Sequence, residues 1–282
     1  MNFAANSDSY LTVSIVLHNS PLALLMNTVQ SLQRAAQYAA AAGHLERVTV
    51  WLIDNASDAG YRAALVDEMS RWSPGDCFDV RYSPQSGNRG FGCGHNTVIS
   101  DLQSEFHLVL NPDVELAEDA LDQGLASLRQ SASIALVSPR VTGGGGEQEF
   151  LCKRYPTVLV LLLRGFAPAS VRRLFQRQLA SYEMRDLCSG EVPAEVDIAS
   201  GCFMLMRTSA LRAVGGFDEA FFLYFEDFDL SLRLATRGRL LFDPAVKIVH
   251  HGGYAASKGR LHLQYFVRSG IRFFQRHGWR FL

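Results

Sequence analysis

The chain has 282 residues, 48% hydrophobic and 20% charged, with 27 Lys and Arg against 28 Asp and Glu for a formal net charge of -1. This composition excludes a disordered, collagen-like or coiled-coil protein, and the length supports one large α/β domain or two small ones. The balanced charge gives no general reason to expect nucleic acid as a partner.

The start, MNFAANSDSY, lacks a basic segment followed by an apolar one, so no secretory leader is expected. Leu11 to Leu17 (LTVSIVL) is a short, partly β-branched apolar run that predicts a strand. Pro21 to Ala42 is Ala/Leu-rich with helical spacing and is ended by Gly43. Val48 to Ile53 predicts a second strand and Tyr61 to Trp72 a helix; Phe78 to Tyr82, Cys93 to Leu102, Phe106 to Leu110, Ala117 to Arg129 and Ile134 to Val137 continue the alternation. Such βαβα order implies an α/β fold with a Rossmann-like, mostly parallel central sheet and helices on both faces. In sheets of this kind a ligand sits beyond the carboxyl ends of the strands.

After Val141 the pattern breaks. TGGGGEQ reads as a flexible linker or a hairpin, and the stretch that follows shows no clean period until about Val196. Gly201 to Arg207 (GCFMLMR) predicts a strand, Phe217 to Phe225 an aromatic-rich turn with a short helix, and Glu226 to Thr236 a helix capped by Gly238. Leu240 to Val249 reads as one or two short strands broken at Pro244, and the tail from about Leu261 as helical. The longest aliphatic run, Val158 to Leu163, is far short of the roughly 20 residues that cross a bilayer. The five cysteines (Cys77, Cys93, Cys152, Cys188 and Cys202) are scattered, without a CxxC pair or zinc-like spacing, which points to a reduced, cytoplasmic chain.

Polar groups follow the predicted strands. His18-Asn19 follows the first, Asp54-Asn55-Ala56-Ser57 the second and Asn111-Pro112-Asp113 the fourth. Each is also what an ordinary turn prefers, but together they line one edge of the sheet. A carboxylate after the second strand can accept hydrogen bonds from a ribose or base, and Asp113 can ligate a hard divalent cation that also holds a diphosphate. Gly87 to Asn96 (GNRGFGCGHN) holds four glycines in eight residues, which allow close backbone approach to a ligand or make a surface loop. The cluster follows the third strand and departs from GxGxxG spacing, so a nicotinamide dehydrogenase is disfavoured. Glu226, Asp227 and Asp229 crowd the first turn of a helix, where the macrodipole favours carboxylates by about 0.3–1 kcal/mol each. Phe221, Phe222, Tyr224, Phe225 and Phe228 frame them, and such walls raise carboxylate basicity and offer faces for a sugar ring. His250 and His251 follow an apolar strand, and His250 is the better candidate for a metal-binding imidazole.

Charge is uneven along the chain. From Leu151 to Arg185 seven cations (Lys153, Arg154, Arg164, Arg172, Arg173, Arg177 and Arg185) stand against the single acid Glu183, a local net of +6. In the tail, Arg268, Arg272, Arg276 and Arg280 recur every four residues, with Phe266, Phe273, Phe274, Trp279 and Phe281 as apolar anchors. A basic helix with aromatics reads either as membrane-surface binding to anionic lipid or as a tail docked on its own domain or in a dimer interface.

In order along the chain, VSIVLHNS, DNAS, NRGFGCGHN, NPDV, SGCFMLMR, GGFDEAFFLYFEDFDLSLR and HHGG resemble the inverting glycosyltransferases of family 2, with the GT-A fold, and among them the rhamnosyltransferase-like members. The resemblance implies a glycosyltransferase domain over residues 1–255, with a nucleotide-sugar half to about 140 and an acceptor half from about 141, followed by a basic amphipathic helical tail over 256–282. It implies that Asp227 is the base that deprotonates the acceptor hydroxyl. It implies that Asp113, with His250, holds a divalent cation (Mg or Mn) on the nucleotide diphosphate. Donor and acceptor contacts are implied for His18, Asn19, Asp54, Asn55, Arg89, Gly90, Phe91, Gly92, Asn96, Asn111, Gly201 and Glu226. Asn111 departs from the family's DxD pattern at its first position, which implies low metal affinity or an ion that enters only with the sugar nucleotide.

The expected reaction moves L-rhamnose from dTDP-L-rhamnose onto a cell-surface polysaccharide or a lipid-pyrophosphate-linked glycan, with peripheral contact at the inner face of the plasma membrane. The rival readings are a UDP-sugar donor (galactofuranose, N-acetylglucosamine or glucose), a catalytically silent glycan-binding relative and, more distantly, a dinucleotide oxidoreductase.

Overall fold

The computed structural model describes residues 10–72, 75, 77–252 and 260–282. The start of the chain and Gly253, the last residue of HHGG, lie outside the described residues. Strand β1 (Tyr10–Leu17) buries Leu11 to Ile15 without a break, as a strand covered on both faces must. It is flanked in parallel by β2 (Arg47–Asp54) and β4 (Phe106–Leu110), with Val13 opposite Val50 on one side and Leu108 on the other. β3 (Phe78–Pro84) extends the parallel set beyond β2.

Along the other half of the sheet two strands keep the direction of β1 and β4 and two run against it, so the sheet is mostly parallel, as expected. Among the described residues the order is β3-β2-β1-β4-β9-β6-β10-β5, where β5 is Val114–Leu116, β6 Ile134–Gly143, β9 Phe203–Arg207 and β10 Arg239–His250. β9 runs antiparallel to both β4 and β6. The chain reaches β9 at the carboxyl end of β4, where Leu110 faces Phe203, so it can only run back. The short β7 (Gln148–Glu149) closes a hairpin on β6, so TGGGGEQ is a hairpin, and β8 (Ala194–Glu195) pairs with β10. β10 is one strand: its register shifts between Asp243 and Lys247, around Pro244, so the proline makes a bulge instead of a break.

Helices α1 (Leu22–Ala41), α2 (Ala59–Ser70), α3 (Phe91–Ile99) and α4 (Ala120–Gln130) lie close to their predicted places, although β5 precedes α4. Gly43, at φ +74°, follows the end of α1. The basic stretch without a period forms four short helices, α5 (Val158–Phe166), α6 (Ala169–Leu174), α7 (Gln176–Tyr182) and α8 (Arg185–Cys188). They are largely exposed, and α6 buries no residue, so no apolar repeat marks them in the sequence. α9 (Thr208–Ala213), α10 (Glu226–Leu234) and α11 (Arg260–His277) complete the set. No helix forms over Phe217 to Phe225; α10 ends before Gly238, whose missing side chain instead lets β10 begin close to the Ser133 carbonyl.

One face of the sheet is covered by α1, α2 and α4 through Leu25, Leu32, Leu65 and Leu125, and the other by α3, α9 and α10 through Ile99, Leu211 and Leu230. Each such fully buried side chain contributes roughly 1.5–3 kcal/mol. Beneath α3 a buried chain of hydrogen bonds joins His95 Nδ1 to Ser14 Oγ (2.7 Å), Ser14 Oγ to His107 Nε2 (2.8 Å) and His107 Nδ1 to Thr12 Oγ1 (2.8 Å). Burial pushes both imidazoles well below their usual range, so these histidines are neutral ties between α3, β1 and β4. No described helix is long and apolar enough to cross a membrane.

The tail departs from the expected arginine stripe. α11 ends at His277, so Arg280 lies beyond it with its guanidinium 4.1 Å from the Tyr155 ring centre. Arg276 pairs with Asp218, and Arg272 lies 5.8 Å from the Phe221 ring. Phe273 and Phe274 are buried against the chain's own Phe221 and Phe225, while Trp279 and Phe281 stay exposed.

Candidate active site

Because β1, β2 and β4 are parallel, His18-Asn19, Asp54 to Ser57 and Asn111 to Asp113 reach the same edge of the sheet. β9 starts at that edge, placing Gly201 there, and His250 ends β10 beside Val114. The amino ends of α3 and α10 complete the ring, with the Phe91 N–H donating to the Phe222 carbonyl (3.1 Å) and the Gly201 N–H to Asp227 Oδ2 (3.0 Å).

On one side, the His18 ring is hydrogen-bonded to the Asn55 carbonyl (2.9 Å), and Asn55 Nδ2 donates to the Gly90 carbonyl (2.8 Å). Asn19, at φ +50°, accepts from the Asp58 N–H, and both His18 and Asn19 are exposed. Asp54 is fully buried. Burial opposes its ionisation, but hydrogen bonds from Ser57 and Tyr82 and the Arg62 guanidinium at 2.7 Å outweigh that and hold the carboxyl below its usual range. Its carboxylate is thus engaged within the protein, where it shapes the turn that presents Asn55.

The glycines of GNRGFGCGHN have protein neighbours. A side chain on Gly90 would meet the Phe222 carbonyl, on Gly92 the Phe217 ring, and on Gly94 Val16 and Asn55. Gly90 is also at φ +96°. The cluster lets α3 press against the loop before α10, a use that the sequence pattern does not separate from ligand approach. Asn96 spends both ends of its amide on that loop, donating to the Phe217 carbonyl and accepting from the Phe217 N–H (both 2.9 Å). Arg89 is exposed and paired with Glu219 at 2.6 Å.

Asp113 and His250 meet at the opposite side of the edge. His250 Nε2 lies 3.7 Å from Asp113 Oδ1, a buried oxygen without a hydrogen-bond partner, while His250 Nδ1 bonds Glu149 at 3.2 Å. An orphaned carboxylate oxygen beside an imidazole whose other nitrogen is held by a carboxylate suits a divalent cation. His251 is turned away, 2.9 Å from Glu115. The described residues form no cluster of three or more metal-ligating side chains. Glu149 was not expected from the sequence, because it sits in the hairpin that follows the glycine run.

Asp227 is half-buried at the first turn of α10, with Oδ1 accepting from the Phe228 N–H (2.9 Å) and Oδ2 from Gly201. Burial raises its pKa, opposed by these backbone hydrogen bonds and by the buried Lys153 ammonium. Each carboxylate oxygen keeps a lone pair for an acceptor. Glu226 is 5% exposed with Oε2 unpartnered, and burial, then the charge of Asp227, holds its carboxyl well above the usual range. The unfolded chain ionises Glu226 near the ordinary value of about 4.3, whereas the folded chain keeps the proton to higher pH. Glu226 therefore costs stability increasingly as pH rises from there towards its folded pKa. Glu226→Gln is expected to raise the melting temperature at pH 8 and to leave it unchanged near pH 4; equal melting temperatures at both pH values would refute this.

The aromatic frame proves to be a docking surface for the tail. Phe225 lies 5.4 Å from Phe273 and 5.2 Å from Phe266, centre to centre, and Phe222 stacks on Tyr265 at 4.6 Å. Tyr224 and Phe225 are both left-handed, at φ +70° and +66°, a strain of about 1–3 kcal/mol each that persists only under such packing. Asp229, fully buried, is held by Arg233 from its own helix (2.7 Å) and by His277 (2.8 Å) and Arg276 (3.3 Å) from the tail.

Residues 12–215 match the family model described as Glycosyl transferase family 2. The N-acetylglucosaminyl-diphospho-decaprenol L-rhamnosyltransferase of Mycobacterium tuberculosis (strain H37Rv) is 28% identical over 225 residues, covering 75% of this chain and 69% of that protein. The rhamnosyltransferase WbbL of Escherichia coli (strain K12) is 29% identical over 183 residues, 57% of this chain and 61% of that one. Among solved structures, GalNAc-T7 with UDP, GalNAc and Mn2+ superposes with a TM-score of 0.64 at 15% identity, over 94% of this chain and 47% of that one, so the chain spans about half its length. The mannosyltransferase PcManGT from Pyrobaculum calidifontis, in complex with GDP-Man and Mn2+, gives 0.59 at 18% identity, over 93% and 64%.

Proposed function

Because the chain belongs to glycosyl transferase family 2, is rhamnosyltransferase-like within it and has the GT-A fold, we propose that it is an inverting transferase that moves L-rhamnose from dTDP-L-rhamnose to a lipid-diphosphate-linked or surface glycan. The observation that carries this is the pairing across one sheet edge of Asp227, buried enough to be basic, with the Asp113–His250 pair. The acceptor hydroxyl gives its proton to Asp227 as its oxygen bonds to the anomeric carbon. On the opposite face the bond to the phosphate oxygen breaks, the nucleoside diphosphate leaves with the electron pair, and one displacement inverts the centre. A divalent cation held by Asp113 and His250 would supply charge neutralisation for that leaving group. His18, Asn19 and Asn55 line the nucleoside end, with Asp54 fixing the turn beneath them, and Asn111, Gly201 and Phe91 lie between donor and base.

A second reading, a UDP-sugar donor, is favoured by the GT-A neighbour holding UDP. The experiment is a thermal-shift panel of nucleotide sugars with and without Mg or Mn. A ligand at 100 times its Kd stabilises the native state by about 2.7 kcal/mol. A metal-dependent shift with dTDP species is expected; a shift only with uridine species assigns the second donor, and none with any nucleotide overturns the proposal.

A further inference from the structure

The excess of cations between residues 151 and 185 gathers at one place. Helices α5 to α8 border a cavity of about 520 Å3 whose wall carries Arg164, Arg172, Arg173 and Arg185 and one carboxylate, Glu183. Glu183 holds two of the four, Arg164 at 2.5 Å and Arg185 at 2.6 Å. Arg172 and Arg173 are exposed and make no ion pair with any described residue. Four guanidiniums against one carboxylate leave a local excess of positive charge that an anion entering the cavity would relieve. The planar forks of arginine suit phosphate oxygens in particular.

Two further observations narrow the anion. The Tyr182 ring sits 5.5 Å from the cavity's Arg164 guanidinium and 5.8 Å from the Lys153 ammonium, and the Lys153 charge favours ionisation of Asp227. The same helices also expose Leu162, Phe166 and Leu174, at 52, 59 and 81%. An arginine-lined cavity on helices that also carry exposed apolar side chains, linked through Tyr182 and Lys153 towards Asp227, fits a molecule with sugar, phosphate and hydrocarbon in that order. We infer that this cavity holds the diphosphate of the lipid-linked acceptor, with the hydrocarbon leaving over Leu162, Phe166 and Leu174 and the sugar directed to Asp227. The inference rests on the transferase reading above.

Calorimetric titration of the full chain with farnesyl diphosphate, with dTDP present to cover the donor edge, tests it. Saturable binding is expected, weakened at least tenfold in Arg172→Ala/Arg173→Ala and partly retained in Arg172→Lys/Arg173→Lys, with melting temperatures unchanged because both side chains are exposed. Equal affinity in the alanine variant, equal binding of farnesol, or displacement by phosphatidylglycerol vesicles at matched phosphate would each overturn the assignment. Binding is read without turnover, so the two readings fail separately. Nucleotide-sugar binding without farnesyl diphosphate binding overturns the cavity assignment. The reverse overturns the transferase reading and with it the acceptor role, while leaving the cavity as a lipid-diphosphate site.

Discussion

Asp227→Asn is expected to lower turnover by about 10²–10⁴-fold, the range that a positioned general base contributes. Donor-induced thermal shifts should stay close to those of the unaltered protein. The amide keeps an oxygen for one of the two backbone N–H groups that hold the carboxylate, from Gly201 and Phe228, so the helix start survives while the proton acceptor is lost. The same residue is expected to set the acid limb of the pH profile. A base works when deprotonated, and burial raises the pKa of Asp227, so kcat/KM should fall as pH drops through a value above the ordinary aspartate figure of about 3.9. Turnover within threefold of the unaltered protein, or an acid limb at or below the ordinary value, would remove Asp227 from the role.

Asp229→Ala should be the most destabilising single change at this end of the molecule. It would leave Arg233, Arg276 and His277 without the buried carboxylate they share, and breaking a buried ion pair from one side costs about 3–5 kcal/mol. Small domains are stable by only about 5–15 kcal/mol, so the loss is large. Chemical denaturation measures it directly. A loss below about 1 kcal/mol would mean that the tail does not clamp α10. The clamp has a functional side, since Asp229 lies two residues beyond Asp227 and the strained turn at Tyr224 and Phe225 lies two residues before it. The C-terminal helix thus holds both ends of the segment that carries Asp227, the proposed base.

Strands β1 to β4 and helices α1 to α3 were legible because apolar runs and helical spacing are local properties of the chain. The order of polar turns after the strands was legible for the same reason. The tail was legible as a helix but its end was not: a repeat of arginines every four residues describes a stripe only if the helix continues, and it stops at His277. Nor was the partner of the aromatic frame legible, because the residues it packs on lie some 40 to 50 positions later in the chain.

What the sequence determined by itself was the class of fold, the family and the residue types that reach one edge of the sheet. These follow from local periodicity and from an ordered series of motifs. Only the tertiary structure decided which of those groups remain open. Asp54 and Asn96 are engaged by protein partners, Glu226 is buried with Oε2 unpartnered, and Asp113 meets His250 where β5 pairs with β10. Such pairings join residues far apart in sequence. Burial and hydrogen-bond satisfaction depend on what the fold brings alongside, and the chain's local pattern carries no record of it.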